Sequence, residues 1–334
     1  MQDNFLSIII PTLNRPDDLA KTLYCFLVQD FKSFQLILVD QSDDDKSNYI
    51  ANIYISKWLP LIYYHSAIKS WAQARNFAID KIDYLDNLYI SKNRKTNSVV
   101  FLDDDVSFDK DFLTNLNIYI FTNPEVAWWT WKIKSPAREV GFAKKIWIFL
   151  LWWWRWINQQ IVTKFGFNQM FDKQPEVESN VQWTSGCGMR YRKSVLDVWH
   201  RFPKHFLKYS IMEDLFLSYG IYLENSAASC GAGKYSLTYT PSVEMTHHES
   251  PNRSIPNYQK IRQHCIHRYI FHKTFHISMI WYIWTIILLM KLDLLTFRKI
   301  SIIWEYFKSL IYIYQNSKNL SLDNWDYNKF IFDL

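Results

Sequence analysis

Asp103, Asp104 and Asp105 are consecutive and directly follow the apolar run at 99–102. Three adjacent carboxylates repel one another, so a fold that places them at the end of a buried strand needs a cation or hydrogen-bond donors to offset the charge. Two of them reaching outward together suit a hard divalent ion, Mg2+ or Mn2+, of the kind that keeps several waters and also binds substrate phosphates. The competing reading is a solvated turn that caps a helix starting near Asp109. Asp40 ends a second apolar run at 36–39. Glu213 and Asp214 open a helix-like stretch to Tyr222, where they either offset the positive helix end, worth about 0.3–1 kcal/mol, or supply a positioned carboxylate for proton transfer. His247 and His248 follow a short strand-like run at 243–246.

The elements that must position these groups alternate. The run at 6–10, stopped by Pro11, reads as a buried strand, and Pro16 opens a helix whose apolar positions are Leu19, Leu23, Phe26 and Leu27. Strands follow at 36–39, 62–64 and 99–102, with a helix at 72–82 between the last two. Such alternation predicts an α/β fold with a mainly parallel sheet, whose sites lie at the carboxyl ends of the strands. Asp40 and the three aspartates fall at such ends. Residues 128–156 are too crowded with Trp, Lys and Arg to assign. Beyond them the pattern predicts a strand at 185–190, helices at 193–199 and 213–222, strands at 237–239 and 243–246, and a helical tail from about Ile255.

Composition narrows the function classes. At 49% hydrophobic and 21% charged, the chain of 334 residues can bury a core and is not intrinsically disordered. Cys25, Cys187, Cys230 and Cys265 lie far apart, which excludes a disulfide framework and a zinc knuckle and suits a reducing compartment. The opening residues read as a strand and not as a signal peptide. The net charge of +6 is concentrated: residues 253–318 hold ten Lys and Arg against two Asp and Glu. A nucleic-acid binder would spread its charge over the main domain, so no nucleic-acid partner is expected. A basic aromatic tail fits an anionic membrane surface contacted through 255–318. The uncharged stretch at 277–290 is shorter than the roughly 18 residues of a membrane span.

Taken in order, the motifs resemble the family 2 glycosyltransferases of the GT-A fold. The matching pieces are SIIIPTLNRPDDL at 7–19, LILVDQSDDD at 36–45, AQARNFAI at 72–79 and VVFLDDDVSFDKDFL at 99–113. They continue with TSGCGMRYRKSVL at 184–196, MEDLFLSYGI at 212–221 and HHESPNRS at 247–254. The resemblance implies a Rossmann-like, mixed but mainly parallel sheet flanked by helices over 1–254, with a nucleotide-binding half at 1–125 and an acceptor half at 126–254. The helical tail would occupy 255–334. It also implies roles. Thr12, Asn14, Arg15, Asp40, Arg75, Asp103 and Asp104 would bind the nucleotide sugar, Asp40 accepting from a pyrimidine N–H. Asp103, Asp105 and His247 would ligate Mg2+ or Mn2+, with His248 as the substitute for His247. Asp214, beside Glu213, would be the general base of an inverting transfer.

The implied donor is a UDP- or dTDP-sugar, and the implied acceptor is lipid-linked or a polysaccharide of the cell envelope. The implied place is cytoplasmic, peripheral at the inner face of the plasma membrane. Two readings compete with these: a catalytically silent GT-A module that binds nucleotide sugar or glycan, and a tail that merely packs as a helical extension.

Glycine and tryptophan are out of proportion. Glycine makes up about 7% of ordinary chains, yet this one has 7 glycines and 16 tryptophans. Trp71, Trp128, Trp129, Trp131 and Trp199 stand where the resembled family commonly has glycine. Either they form an aromatic, membrane-facing surface, or they are encoded by UGA in an organism that reads it as glycine. The richness in Ile, Asn, Lys, Tyr and Phe suggests an AT-rich genome, which does not enrich UGG.

Overall fold

The computed structural model describes residues 4–88, 95–135, 159–163, 166, 168–171, 173–196, 200–208, 211–227, 236–249, 256–297, 301–324 and 326–333. Trp199, Cys230 and most of the unassigned stretch at 128–156 lie outside them. The chain divides into two units: Met1–Pro136 with Gln174–Tyr209 and Glu213–Arg253, and Ala137–Lys173 with Ser210–Met212 and Ser254–Leu334. The main span of the second unit is Ser254–Leu334, and that unit also takes in part of the stretch assigned by sequence to the acceptor half.

The first unit alternates strand and helix as the pattern requires. It contains β1 (Phe5–Thr12), α1 (Pro16–Leu27), β2 (Phe34–Asp40), α2 (Lys46–Ser56), β3 (Leu61–His65), α3 (Trp71–Leu88) and β4 (Thr96–Leu102). The short β5 (Val106–Ser107), α4 (Phe112–Thr122) and β6 (Val126–Lys134) follow. The chain makes a two-stranded β7 (Ile161–Val162) and β8 (Asn168–Gln169) in the second unit, then returns through β9 (Ser179–Asn180), β10 (Gly188–Arg192) and α5 (Lys193–Leu196). The unit closes with α6 (Glu213–Ala227) and β11 (Ser236–His247).

Every residue of β1 and β2 is buried, the signature of strands covered on both faces. In α1, Pro16 supplies the fixed φ of a first helical position, and Asp17 and Asp18 sit where the helix dipole favours acids. Leu19, Leu23 and Phe26 form its buried stripe.

Among the described residues the main sheet runs β3-β2-β1-β4-β10-β6-β11-β5, with β9 beside β11. β1, β2, β3 and β4 are mutually parallel, and β6 and β11 pair in parallel. β10 runs antiparallel to both β4 and β6, making the sheet mixed. Arg190 on β10 is buried there, donating to the Ser98 hydroxyl and to the carbonyls of Val126 and Ala127, and so ties β4 to β6.

Several sequence expectations shift. The first strand runs through Pro11 to Thr12, because Pro11 pairs in register with Val39. The helix expected near Asp109 begins at Phe112. The strand expected at 185–190 is Gly188–Arg192, since the preceding residues form the turn that carries Gly186. The two runs at 237–239 and 243–246 are one strand, β11, whose pairing with β6 slips between Thr240 and Glu244. Trp128, Trp129 and Trp131 lie on β6 at 0–1% exposure, so they do not form an aromatic surface.

The second unit adds α7 (Asn257–Thr274), α8 (Met279–Phe297), α9 (Ser301–Asn316) and α10 (Tyr327–Phe332). α7 is buried along most of its length. Its Arg268 donates to the Gly166 carbonyl and to Asn168. Gly166 has φ +71, and a Cβ there would lie 2.3 Å from the His272 ring, so only glycine fits. Arg262 links three elements, bonding Glu305 on α9, the Phe330 carbonyl on α10 and Asp333 beyond it. No described helix is long and apolar enough to cross a membrane.

Candidate active site

The site gathers at the carboxyl ends of β1, β2 and β4 and at the start of α6. β4 delivers Asp103, Asp104 and Asp105 in a tight turn before β5. Thr22, on the buried face of α1, holds that turn: its hydroxyl donates to the Asp104 and Val106 carbonyls, and it accepts the Val106 N–H. The main chain of the turn is therefore held by the Thr22 side chain, apart from the bonds its carboxylates make.

The three carboxylates diverge. Asp104 is fully buried, taking a 2.6 Å bond from the Thr12 hydroxyl and a 2.7 Å ion pair from Arg15. Burial pushes its carboxyl up to about 7, against the pull of Arg15 and Thr12. Arg15 also reaches Asp105 at 3.3 Å. The sequence assigned Asp104 to donor binding; in the fold its carboxylate points to Thr12 and Arg15 and orients that cation.

Asp103 and Asp105 instead converge on His247, the last residue of β11. The imidazole Nε2 lies 3.1 Å from an Asp105 oxygen and 3.6 Å from an Asp103 oxygen. Register brings it there, since His247 pairs with Val106 on β5. Burial opposes a charge on His247, but the hydrogen bond its imidazole donates to Asp105, aided by the one with Cys187, overrides it and pushes the imidazole up to about 10. His248 points elsewhere and bonds the Ser107 hydroxyl at 2.7 Å. One ligand atom from each of Asp103, Asp105 and His247 lies within 4.8 Å of the others. Two carboxylates and an imidazole suit Mg2+ or Mn2+. A divalent ion held by these three groups would take the place of the proton that His247 shares with Asp105.

Arg75, on the buried face of α3, connects this trio to α6. Its guanidinium donates to Asp103 at 3.2 Å, to Glu213 at 3.1 Å and to the Gly186 carbonyl at 3.1 Å. The Gly186 N–H in turn donates to Asp214 at 2.7 Å, and the other Asp214 oxygen accepts the Leu215 N–H at 2.8 Å. A Cβ on Gly186 would lie 3.3 Å from the Asp214 oxygen and 3.4 Å from the Arg75 nitrogens, so glycine permits this close approach. Burial raises the carboxyls of both acids, Glu213 to about 7, with the neighbouring Asp214 adding to its rise. The ring of Trp71 lies against both cations, 5.3 Å from the Arg15 guanidinium and 5.8 Å from that of Arg75.

Asn14 and Asp40 sit on the neighbouring loops. Asn14 has φ +54, a conformation asparagine tolerates, and exchanges hydrogen bonds with Asp43 while its N–H donates to Ser42. Asp40 is buried at the end of β2, as its position in the sequence requires. One oxygen accepts the Ser42 N–H and the other the Tyr63 hydroxyl. It anchors the loop after β2 in this state. Sequence reading missed Thr22, Tyr63 and Gly186. A threonine three residues after Leu19 on the apolar stripe of α1 was the available signal for the first.

The family model for glycosyl transferase family 2 matches residues 7–197, a span that ends before Asp214 and His247. No curated protein matches by sequence. Among solved structures, TarS of S. aureus shares 20% identity at a TM-score of 0.49, covering 80% of this chain and 42% of its own. GalNAc-T7, solved with UDP, GalNAc and Mn2+, shares 12% identity at a TM-score of 0.54, covering 81% of this chain and 50% of its own. A mannosyltransferase, PcManGT from Pyrobaculum calidifontis, solved with GDP-Man and Mn2+, shares 12% at a TM-score of 0.47, covering 96% of this chain and 76% of its own. This chain thus spans less than half the TarS chain and half of GalNAc-T7. At these identities the likeness is one of fold, a mixed α/β sheet flanked by helices in the GT-A arrangement.

If Asp103, Asp105 and His247 form a cation site, Asp105→Asn weakens Mn2+ binding, measured by calorimetry, by about tenfold or more. His248→Ala, which disturbs only the bond to Ser107, leaves it unchanged.

Proposed function

The chain belongs to glycosyl transferase family 2, and from that premise we propose that it transfers a sugar from a nucleotide-sugar donor to an acceptor hydroxyl with inversion, Asp214 serving as general base. The observation that carries this reading is the continuous link from the Asp103–Asp105–His247 trio through Arg75 and Gly186 to Asp214. A diphosphate at the trio would put the donor's anomeric carbon on the side where Asp214 opens α6.

On this reading the acceptor oxygen forms its bond to the anomeric carbon as the bond from that carbon to the diphosphate breaks. The hydroxyl proton passes to Asp214. The two backbone N–H groups fix the carboxylate's direction while each oxygen keeps a lone pair for the proton. Burial, by raising the Asp214 carboxyl, makes it a better proton acceptor than an exposed aspartate. Glu213 and Asp103 hold Arg75 in place between the two halves of the reaction. When bound, Mg2+ or Mn2+ offsets the charge developing on the departing diphosphate. Arg15, oriented by Asp104, would lie beside the same phosphates. A UDP- or dTDP-sugar is the favoured donor, its pyrimidine N–H taking the place on Asp40 now held by the Tyr63 hydroxyl. The sugar is a hexose or deoxyhexose, and the acceptor is lipid-linked or a cell-envelope polysaccharide.

On the same reading the second unit lies at an anionic membrane surface on the cytoplasmic side. Trp304, Phe307, Ile311 and Tyr314 on α9 are all more than half exposed and recur at helical spacing on one face. On α8, Ile280, Ile283 and Trp284 are likewise exposed. Lys291 is exposed in the same unit, and residues 253–318 carry the basic excess noted above. Exposed apolar and aromatic side chains with nearby cations match a helix pair lying in a headgroup layer.

Asp214→Asn should lower the turnover of UDP- or dTDP-sugar by about 10²–10⁴-fold and leave UDP affinity unchanged; loss of UDP binding together with unfolding would give Asp214 a structural role. In the intact protein the turnover rate falls as pH drops through the range where the Glu213–Asp214 pair takes up a proton. Because burial raises both groups, that acid limb lies above the ordinary carboxylate range. Vesicles of phosphatidylglycerol should carry the protein in flotation, and the double substitution Trp304→Glu, Ile311→Glu should abolish flotation without changing the thermal midpoint.

A further inference from the structure

α2 ends in a pattern that calls for one particular residue. The Trp58 N–H donates to the Ile55 carbonyl at 2.9 Å, and the Leu59 N–H reaches back to the Tyr54 carbonyl at 3.1 Å. These are the paired bonds of a Schellman termination, in which the residue at position 58 is left-handed and is usually glycine. Trp58 has φ +64. A bulky aromatic residue in that region is a true outlier, and nothing around its side chain compensates, for Trp58 is 93% exposed. Leu59, next in the chain, is buried, as the apolar residue after such a termination commonly is.

β6 shows a second anomaly of a different kind. Trp128, Trp129 and Trp131 are all fully buried, and among the described residues the indole N–H of each has no acceptor. Buried tryptophans ordinarily place that N–H on a partner. Three orphaned donors within four residues of one central strand form a cluster that native interiors avoid. The same strand faces Gly188, where a Cβ would already meet the Trp131 ring at 3.2 Å.

We propose that the protein made in its source organism carries glycine at positions 58, 71, 128, 129 and 131, each encoded by UGA and read there as glycine. Strained backbone at an exposed site and unpaired donors at buried ones are independent faults, and one substitution type removes both. The low glycine and high tryptophan counts have the same origin. Position 71 rests on the glycosyltransferase reading as well. Its ring now lies against Arg15 and Arg75, and glycine there leaves the space beside both guanidiniums to a nucleoside diphosphate.

The test is the mass of the protein purified from its source, read alongside the gene. Trypsin releases residues 58–69, 70–75 and 111–132. The expected masses are lower by one, one and three Trp-to-Gly differences, with UGA at all five codons. UGG codons, or tryptophan masses in these peptides, would overturn the proposal whether or not the protein transfers sugar. Glycine masses in 58–69 and 111–132 with tryptophan in 70–75 would overturn it at position 71 alone. On the sequence as written, Trp58→Gly raises the thermal midpoint by about 2–4 °C and Trp58→Ala does not. An equal gain from alanine would refute the backbone argument at position 58.

Discussion

Five carboxylates crowd the ends of β4 and α6, and the arrangement of the first unit follows from how their charge is held. Arg15 takes Asp104 and Asp105, Arg75 takes Asp103 and Glu213, and Asp214 relies on backbone N–H groups. Both cations are almost completely buried, so neither is an exposed side chain that salt would screen. Each is donated by a different helix-bearing segment. The loop before α1, the first turns of α3 and the N-terminus of α6 are thereby brought to one place. Removing either guanidinium would leave buried anions uncompensated, which costs far more than an exposed ion pair contributes.

This division of labour explains why three consecutive aspartates can have three fates. Asp104, fully buried, is part of the frame, whereas Asp103 and Asp105 turn toward His247. The strand pairing of β11 with β5 decides which histidine joins them, because adjacent residues on a strand project to opposite faces. A shift of one residue in that pairing would bring His248 to the trio and send His247 to Ser107.

Much of this was legible before the fold was known. The uninterrupted apolar runs of β1, β2 and β4 announced buried parallel strands, Pro16 marked the start of α1, and acids at strand ends pointed to the candidate site. What could not be read depended on partners distant in the chain. His247 and His248 are indistinguishable until β5 supplies a register. Thr22 looks like a minor interruption of an apolar stripe until the turn at 104–106 lies against it. The start of α4 at Phe112 and the continuity of β11 through Pro241 are decided by neighbouring strands and loops, not by local preference. The tryptophans of β6 could be read from sequence as a surface or as displaced glycines, and their burial removes the first of these.

Gln29 continues what Thr22 begins. Its amide donates to the Asp109 carbonyl and accepts from the Leu113 N–H, while the Asp30 N–H bonds the Lys110 carbonyl. α1 and the three residues after it are thus stitched to residues 104–113 through main-chain atoms at several separate points. Such a segment moves with its helix as one rigid piece and does not flap as a loop. Any closure over a bound donor would then be carried by other parts of the chain.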